Sequence, residues 1–255
     1  MNEYEEAFRR LLDDAKGKPR LRRFVQSGIP TTRVRYADTE FLITPPDNYT
    51  EFILWRRGRP PEDDATQALA KRFRDQPAVI VDVGANAGIF ALPILKAAGA
   101  GARYLGVEPN PEMVARLRGN LALNRFAAAD VAEVAVSDQA GSARLHFSDK
   151  PDFGAARLGE AQGEAGGIDV DVETLPDILG RHGISTVDLL KVDVEGHEDR
   201  VIVPALEAGI DIRAVYFEDE HKAAWTHDLV AALETAGLTE TRRFGPNAFY
   251  ARVES

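Results

Sequence analysis

Val79-Ile-Val-Asp-Val-Gly-Ala-Asn-Ala-Gly-Ile-Phe-Ala91 is the stretch on which the reading of this chain turns. Val79, Ile80, Val81 and Val83 are β-branched and suit a strand buried on both faces. The turn that follows, with Gly84, Asn86 and Gly88, opens an apolar segment of helical character. In a parallel sheet such a junction places a ligand at the carboxyl end of the strands. Asp82 narrows the kind of ligand. A pyrophosphate received on bare backbone N–H groups would be repelled by a carboxylate beside it. A phosphate-free nucleoside carrying cationic groups would be favoured there.

Working outward, the next strand ends in a second acid. Tyr104-Leu-Gly-Val-Glu108 is followed by Pro109, Asn110 and Pro111, and Glu108 lies 20 residues beyond Gly88. An acid at that distance can accept both hydroxyls of a ribose. The third signal is Val187-Asp-Leu-Leu-Lys-Val-Asp-Val-Glu-Gly-His-Glu198, a buried strand that runs into Asp193, Glu195, His197 and Glu198. By the same sheet rule its acidic end faces the crevice of Asp82 and Glu108. Capping of the following helix accounts for one of these acids but not for the group.

From residue 78 onward the pattern alternates. Strands are expected at 78–83, 103–107, 131–136, 188–192 and 213–217, and helices at 86–98, 111–124, 197–208 and 222–236. This predicts a mostly parallel, doubly wound α/β sheet. Pro111 suits a first helical turn, whereas Pro93 should kink the helix expected at 86–98. Residues 239–244 and 248–253, around Gly245-Pro-Asn247, read as a terminal antiparallel hairpin. The Gly- and Ala-rich segment between 148 and 167 reads as a long loop.

Residues 1–76 differ in texture and read as an α+β extension or cap, ahead of a ligand-binding domain at 77–255. Helix-like pieces at 3–14 and 21–26, strand-like Arg33–Tyr36 and Phe41–Thr44, and an apolar-aromatic segment at 49–55 make it up. Its basic cluster, Arg20, Arg22, Arg23, Arg33 and Arg35, reads either as a solvated face or as part of an acceptor pocket.

Composition bounds the function. The chain has 255 residues, 44% hydrophobic, enough for one large core. A formal net charge of −10 disfavours nucleic acid and anionic membranes as partners. The absence of cysteine removes disulfides, thiolate zinc sites and a cysteine nucleophile. With an acidic start and no apolar run long enough to span a bilayer, a cytoplasmic protein is expected.

Taken together, Val-Asp-Val-Gly-Ala-Asn-Ala-Gly, Val-Glu-Pro-Asn-Pro ahead of a helix with Asn120 and Asn124, Glu133-Val-Ala-Val-Ser-Asp138, and Leu-Leu-Lys-Val-Asp-Val-Glu-Gly-His-Glu resemble the FkbM family of S-adenosylmethionine-dependent methyltransferases. The resemblance implies a Rossmann-like, seven-stranded class I methyltransferase fold and O-methylation of a sugar, glycan or natural-product hydroxyl. It implies that Asp82, Gly84, Ala85, Asn86 and Gly88 cradle the methionine part of the cofactor. Glu108 would hold the ribose, with Pro109 and Asn110 alongside, and Ser137 and Asp138 would lie near adenine. Asn86 stands where the general methyltransferase turn has glycine, a mild departure because Asn tolerates positive φ.

Methyl transfer to a hydroxyl needs in-line positioning and a proton acceptor. The expected catalytic residues are Asp193, Glu195, His197 and His221, the histidines being expected to gain basicity from neighbouring carboxylates. A Mg²⁺ site built from Asp193, Glu195, Glu218 and Glu220 is the weaker reading, and no metal ligand is assigned. The competing functions are an NAD-dependent oxidoreductase and a binding module without catalysis. Asp82 and the lack of a Gly-x-Gly-x-x-Gly turn stand against the former.

Overall fold

The computed structural model describes residues 3–147, 156–159 and 167–252. The extension comprises helices α1 (Glu3–Asp14) and α2 (Pro19–Ser27), strands β1 (Thr32–Tyr36) and β2 (Thr39–Ile43), and helices α3 (Tyr49–Arg57) and α4 (Asp63–Arg72). The alternating part begins with β3 (Val79–Val83), α5 (Ala91–Ala98), β4 (Arg103–Val107), α6 (Pro111–Leu123) and β5 (Ala129–Ala132). Next come β6 (Ala135–Val136), β7 (Gly141–Phe147), β8 (Ala156–Gly159), β9 (Gly167–Glu173) and α7 (Leu175–Arg181). The chain ends with β10 (Thr186–Val187), β11 (Leu189–Val192), α8 (Glu198–Glu207), β12 (Asp211–Ile212), β13 (Ala214–Glu218), α9 (Leu229–Thr235), β14 (Leu238–Phe244) and β15 (Asn247–Arg252).

Seven strands form the main sheet in the order β14-β15-β13-β11-β3-β4-β5. β5, β4, β3, β11 and β13 run parallel, and the hairpin β14–β15 adds antiparallel to β13. The order reverses at β3, where the next strand along the chain, β4, lies on one side and β11 on the other. That topological switch point opens a crevice at the strand ends.

Alternate residues of each strand serve opposite faces. Ile80, Leu189 and Tyr216 join one apolar cluster, whereas Val81, Leu190 and Phe217 join a second. The first cluster also takes Leu92 and Leu117 from α5 and α6, and Phe41, Phe52, Trp55 and Leu69 from the extension. The extension therefore completes one face of the sheet core. The second face is covered by α7, α8 and α9 through residues such as Ile178, Val201 and Leu233.

Several expected elements are revised. The helix expected at 86–98 begins only at Ala91, because Asn86 (φ 50°) and Gly88 (φ 80°) lie outside the helical region. Pro93 thus falls in the first turn, where its missing N–H has no intrahelical partner to lose, and no kink is required. The strand expected at 131–136 is two: β5 stays in the main sheet, and β6 leaves to pair with β9 in a four-stranded sheet, β6-β9-β7-β8. The helix expected at 222–236 is a short 3₁₀ turn at Lys222–Ala224 followed by α9. Asp199 breaks it by accepting from the N–H groups of Thr226 (2.7 Å) and His227 (2.8 Å). Most of the loop expected at 148–167 lies outside the described residues, but residues 156–159 form β8, paired antiparallel with β7.

Candidate active site

Two cavities meet at the carboxyl ends of β3 and β11. The first, of about 630 Å³, is bounded by Gly84 and Asn86 after β3, Glu108 and Pro109 after β4, Val134 to Val136, Leu145, and Asp193 to Glu195 after β11. The second, of about 1280 Å³, shares Asp193 and Glu195. Its other walls come from Glu62 in the extension, Tyr216 and Glu218 of β13, and the tip of the terminal hairpin.

The first cavity is built from backbone geometry. Gly84 has φ 73°, and a Cβ there would lie 1.9 Å from the Asp193 carbonyl oxygen. Only glycine lets the β3 turn come this close to the β11 end. The Gly84 and Ala85 N–H groups donate to the Val107 carbonyl at 2.9 and 3.2 Å, which ties the turn to β4. Gly88 (φ 80°) is packed against Leu117 and Leu92 beneath the turn. Asn86 takes its positive φ as expected, and its Oδ1 accepts from the Asn48 side chain of the extension at 2.8 Å.

Glu108 is nearly buried, and its oxygens accept from the Asn86 N–H (2.8 Å) and the Asn110 N–H (2.9 Å), one each. Each oxygen keeps a further lone pair for a ribose hydroxyl. Burial pushes its pKa up to about 7 against the pull of those two N–H bonds. Asn110 caps α6 by accepting from the Glu112 N–H. Val107, Val134, Val136 and Leu145 supply apolar walls for a heterocycle. This donor set, with a bare-backbone turn, a paired carboxylate and apolar walls, fits S-adenosylmethionine.

Asp82 does not line either cavity. It is fully buried, accepts from the Tyr104 hydroxyl (3.0 Å), and lies 3.3 Å from the Lys191 ammonium. The pairing follows from register, since Asp82 and Lys191 are cross-strand partners on β3 and β11. Lys191 also donates to the Gly84 carbonyl (2.6 Å) and lies 3.5 Å from Asp193. Burial works to lower its pKa, but Asp82, Asp193 and Glu62 outweigh that and raise it. The carboxylate expected to attract a cationic ligand is therefore neutralised within the fold. Its place is to hold the ammonium that holds the turn. Lys191 escaped the sequence reading because a lysine inside an apolar strand announces its partner only through register.

The expected catalytic residues separate. Asp193 and Glu195 stand where the cavities meet, and His221 Nε2 lies 3.8 Å from Glu195 Oε2. Glu195 adopts φ 58°, so the loop after β11 is held in a conformation uncommon for a non-glycine residue. Its holder is Glu198, buried at the start of α8, whose carboxylate accepts from the N–H groups of Val194 and Gly196 and from the Trp225 indole. His197 points elsewhere. It borders a separate cleft of about 890 Å³ together with Ser137, Asp138 and Arg200. Burial and the Arg200 charge hold its pKa below the ordinary imidazole value, opposite to the gain in basicity expected from its acidic neighbours. Ser137 and Asp138 likewise sit past the end of the apolar wall, beyond Val136.

Glu62 and Glu218 are the acids the sequence reading left without a proton-transfer role. Burial, then repulsion from Asp193 and Glu195, pushes Glu218 up to about 7. Among the described residues, no three His, Asp or Glu side chains come together to hold a metal ion. Nor is any described helix long and apolar enough to cross a membrane.

The family model described as the methyltransferase FkbM domain matches residues 82–237, more than half of the chain. The chain belongs to the FkbM methyltransferase family. It therefore carries an S-adenosylmethionine-dependent methyltransferase domain. The 31-O-demethyl-FK506 methyltransferase FkbM of Streptomyces tacrolimicus is 32% identical over 190 residues, covering 63% of this chain and 72% of the relative. The 2-O-methyltransferase NoeI of Sinorhizobium fredii is 30% identical over 157 residues, covering 55% and 62%. The crystal structure of a methyltransferase FkbM from Methylobacillus flagellatus aligns over 82% of this chain and 62% of its own, with TM-score 0.47 and 14% identity.

Proposed function

We propose that the protein is an O-methyltransferase that transfers the methyl group of S-adenosylmethionine to a hydroxyl of a sugar, glycan or natural-product acceptor. The observation that carries this reading is the junction of the two cavities at Asp193 and Glu195. A cleft with apolar walls opens there onto a larger chamber of polar character, as transfer between a bound donor and a separate acceptor demands. Two relatives named for O-methylation, the 31-O-demethyl-FK506 methyltransferase and a 2-O-methyltransferase, support the same chemistry.

In this reading Gly84, Asn86 and Glu108 touch the cofactor, with Pro109 and the apolar wall beside the base. Asp82, Ala85, Gly88 and Asn110 act behind them by fixing the turn and the ribose acid. Ser137 and Asp138 close the adenine end. The cofactor supplies an electrophilic methyl on a sulfonium that departs as a neutral thioether. The protein's share is alignment: the acceptor enters through the chamber and Asp193 takes a hydrogen bond from a hydroxyl next to the one that is methylated. The Glu195–His221 pair fixes one wall, so that oxygen and methyl are held in line. His197 plays no part in this arrangement.

Calorimetry with S-adenosylhomocysteine and with NAD, followed by a transfer assay on a panel of sugar and alcohol acceptors with and without chelator, tests the reading. Binding of the adenosyl compound, loosened about tenfold or more by Glu108→Ala, with methyl transfer that survives chelation, is expected. Tight NAD binding alone would overturn it in favour of an oxidoreductase, binding without transfer in favour of a non-catalytic module. Activity lost on chelation would restore the metal reading.

A further inference from the structure

We infer that Glu62, from the extension and outside every motif of the methyltransferase domain, is the group that takes the proton from the acceptor hydroxyl. This assignment rests on the O-methyltransferase reading above.

Three features of its setting support the role. Glu62 borders the acceptor chamber whose opposite wall carries Asp193 and Glu195. Among the described residues its hydrogen bonds both fall on Oε1, from the Tyr216 hydroxyl at 2.7 Å and the Asn247 side chain at 3.2 Å. Those partners belong to β13 and β15, so the sheet clamps one oxygen and Oε2 is left out of the clamp. A carboxylate held in this way has a fixed direction and one oxygen for a ligand proton.

The electrostatics agree. Burial, then repulsion from Asp193, pushes Glu62 up to about 7, against the opposing pull of Lys191 and of the Tyr216 hydrogen bond. Asp82 adds a further push from beneath. Asp64, Glu195, Glu218, Arg242 and Arg243 also border the chamber. Arg243 is spent on Asp219 (2.8 Å) and Glu240 (2.9 Å). A carboxylate that titrates near neutrality suits a general base. Asp193 differs in having the Lys191 ammonium 3.5 Å away, which suits it to orient a hydroxyl.

The step balances. The acceptor oxygen gains the methyl carbon and the carbon–sulfur electron pair returns to sulfur. The hydroxyl proton passes to Glu62, which then releases it to water.

The test has two arms, both on the full chain. In the first, the carboxyl groups are titrated by ¹³C NMR on glutamate-labelled protein, with Glu62→Gln used to assign the resonance. A midpoint near 7 is expected for Glu62, and a midpoint in the ordinary carboxylate range would overturn the proposal. In the second, methyl transfer is followed against pH. The wild type should lose rate below about pH 7, Tyr216→Phe should move that limb to higher pH, and Glu62→Asp should retain part of the rate. Glu62→Gln should bind S-adenosylhomocysteine normally, which shows that it folds, yet fall at least about 100-fold in turnover. Unchanged turnover, or an unchanged acid limb, in Glu62→Gln would overturn the assignment while leaving the methyltransferase reading intact. A wild type that transfers nothing removes that reading and this one together.

Discussion

Gly84 and the Asp82–Lys191 pair set the working geometry at the scale of single residues. Adding a methyl at Gly84 drives it into the Asp193 carbonyl at 1.9 Å and strains a backbone at φ 73°. Gly84→Ala is therefore expected to cost roughly 3 kcal/mol or more and to abolish adenosyl binding, read by thermal unfolding and calorimetry. Neither Asp82 nor Lys191 lines the two cavities, yet removing either leaves the other buried without its nearest opposite charge. Asp82→Asn and Lys191→Met should each destabilise by about 3–5 kcal/mol, and the double variant by less than either. Denaturant unfolding of the three variants decides this, and additive losses would show that the pair is not the unit.

Among elements, the contact between β2 and α6 shows how the extension is joined. β2 has an edge that no strand covers among the described residues, and Asn120 of α6 and Asn124 at its C-terminal cap take the place of that strand. Asn120 Oδ1 accepts from the Leu42 N–H (2.8 Å), and Asn124 Oδ1 accepts from the Glu40 N–H (2.9 Å) while its amide donates to the Glu40 carbonyl (2.7 Å). Asn120 also donates to the Ala87 carbonyl inside the cofactor turn (2.9 Å), so one side chain bridges cap and site. Asn120→Ala should expose the Leu42 amide to faster hydrogen exchange, lower stability by about 1–3 kcal/mol, and weaken adenosyl binding. Asn124→Ala should instead expose the Glu40 amide and lower stability by a similar amount, without weakening adenosyl binding. Equal loss of binding in both would place the coupling elsewhere. In the sequence the two asparagines stood out only as part of a motif; their partners, far away along the chain, could not be read.

For the whole molecule, four acids share one tendency, two of them buried (Glu51 and Glu108) and two half-buried (Glu62 and Glu218). Glu51, Glu62, Glu108 and Glu218 are all pushed up to about 7, in each case first by burial. An acid whose folded pKa is raised holds its proton more tightly in the fold than in the open chain. The stability it contributes is full below about 4.5 and is lost as pH rises through about 7. Asp199, whose pKa is lowered, works the other way at lower pH. The melting temperature is thus expected to rise by several degrees between pH 8 and pH 5.5, and Glu108→Gln should flatten the rise. A melting temperature that climbs with pH over that window would contradict the burial argument. Cofactor affinity should run opposite, strengthening as Glu108 ionises.

Sequence by itself determined the parallel sheet, the terminal hairpin, the glycine turn, the acid that ends β4 and the family. These follow from strand composition, turn chemistry and the order of short motifs, all local along the chain. Tertiary structure decided which charges border the cavities and which face each other. Asp82 turned inward to Lys191, His197 turned into another cleft, and Glu62 arrived from the extension. Each outcome depends on register and packing between segments distant in sequence, which no local pattern encodes.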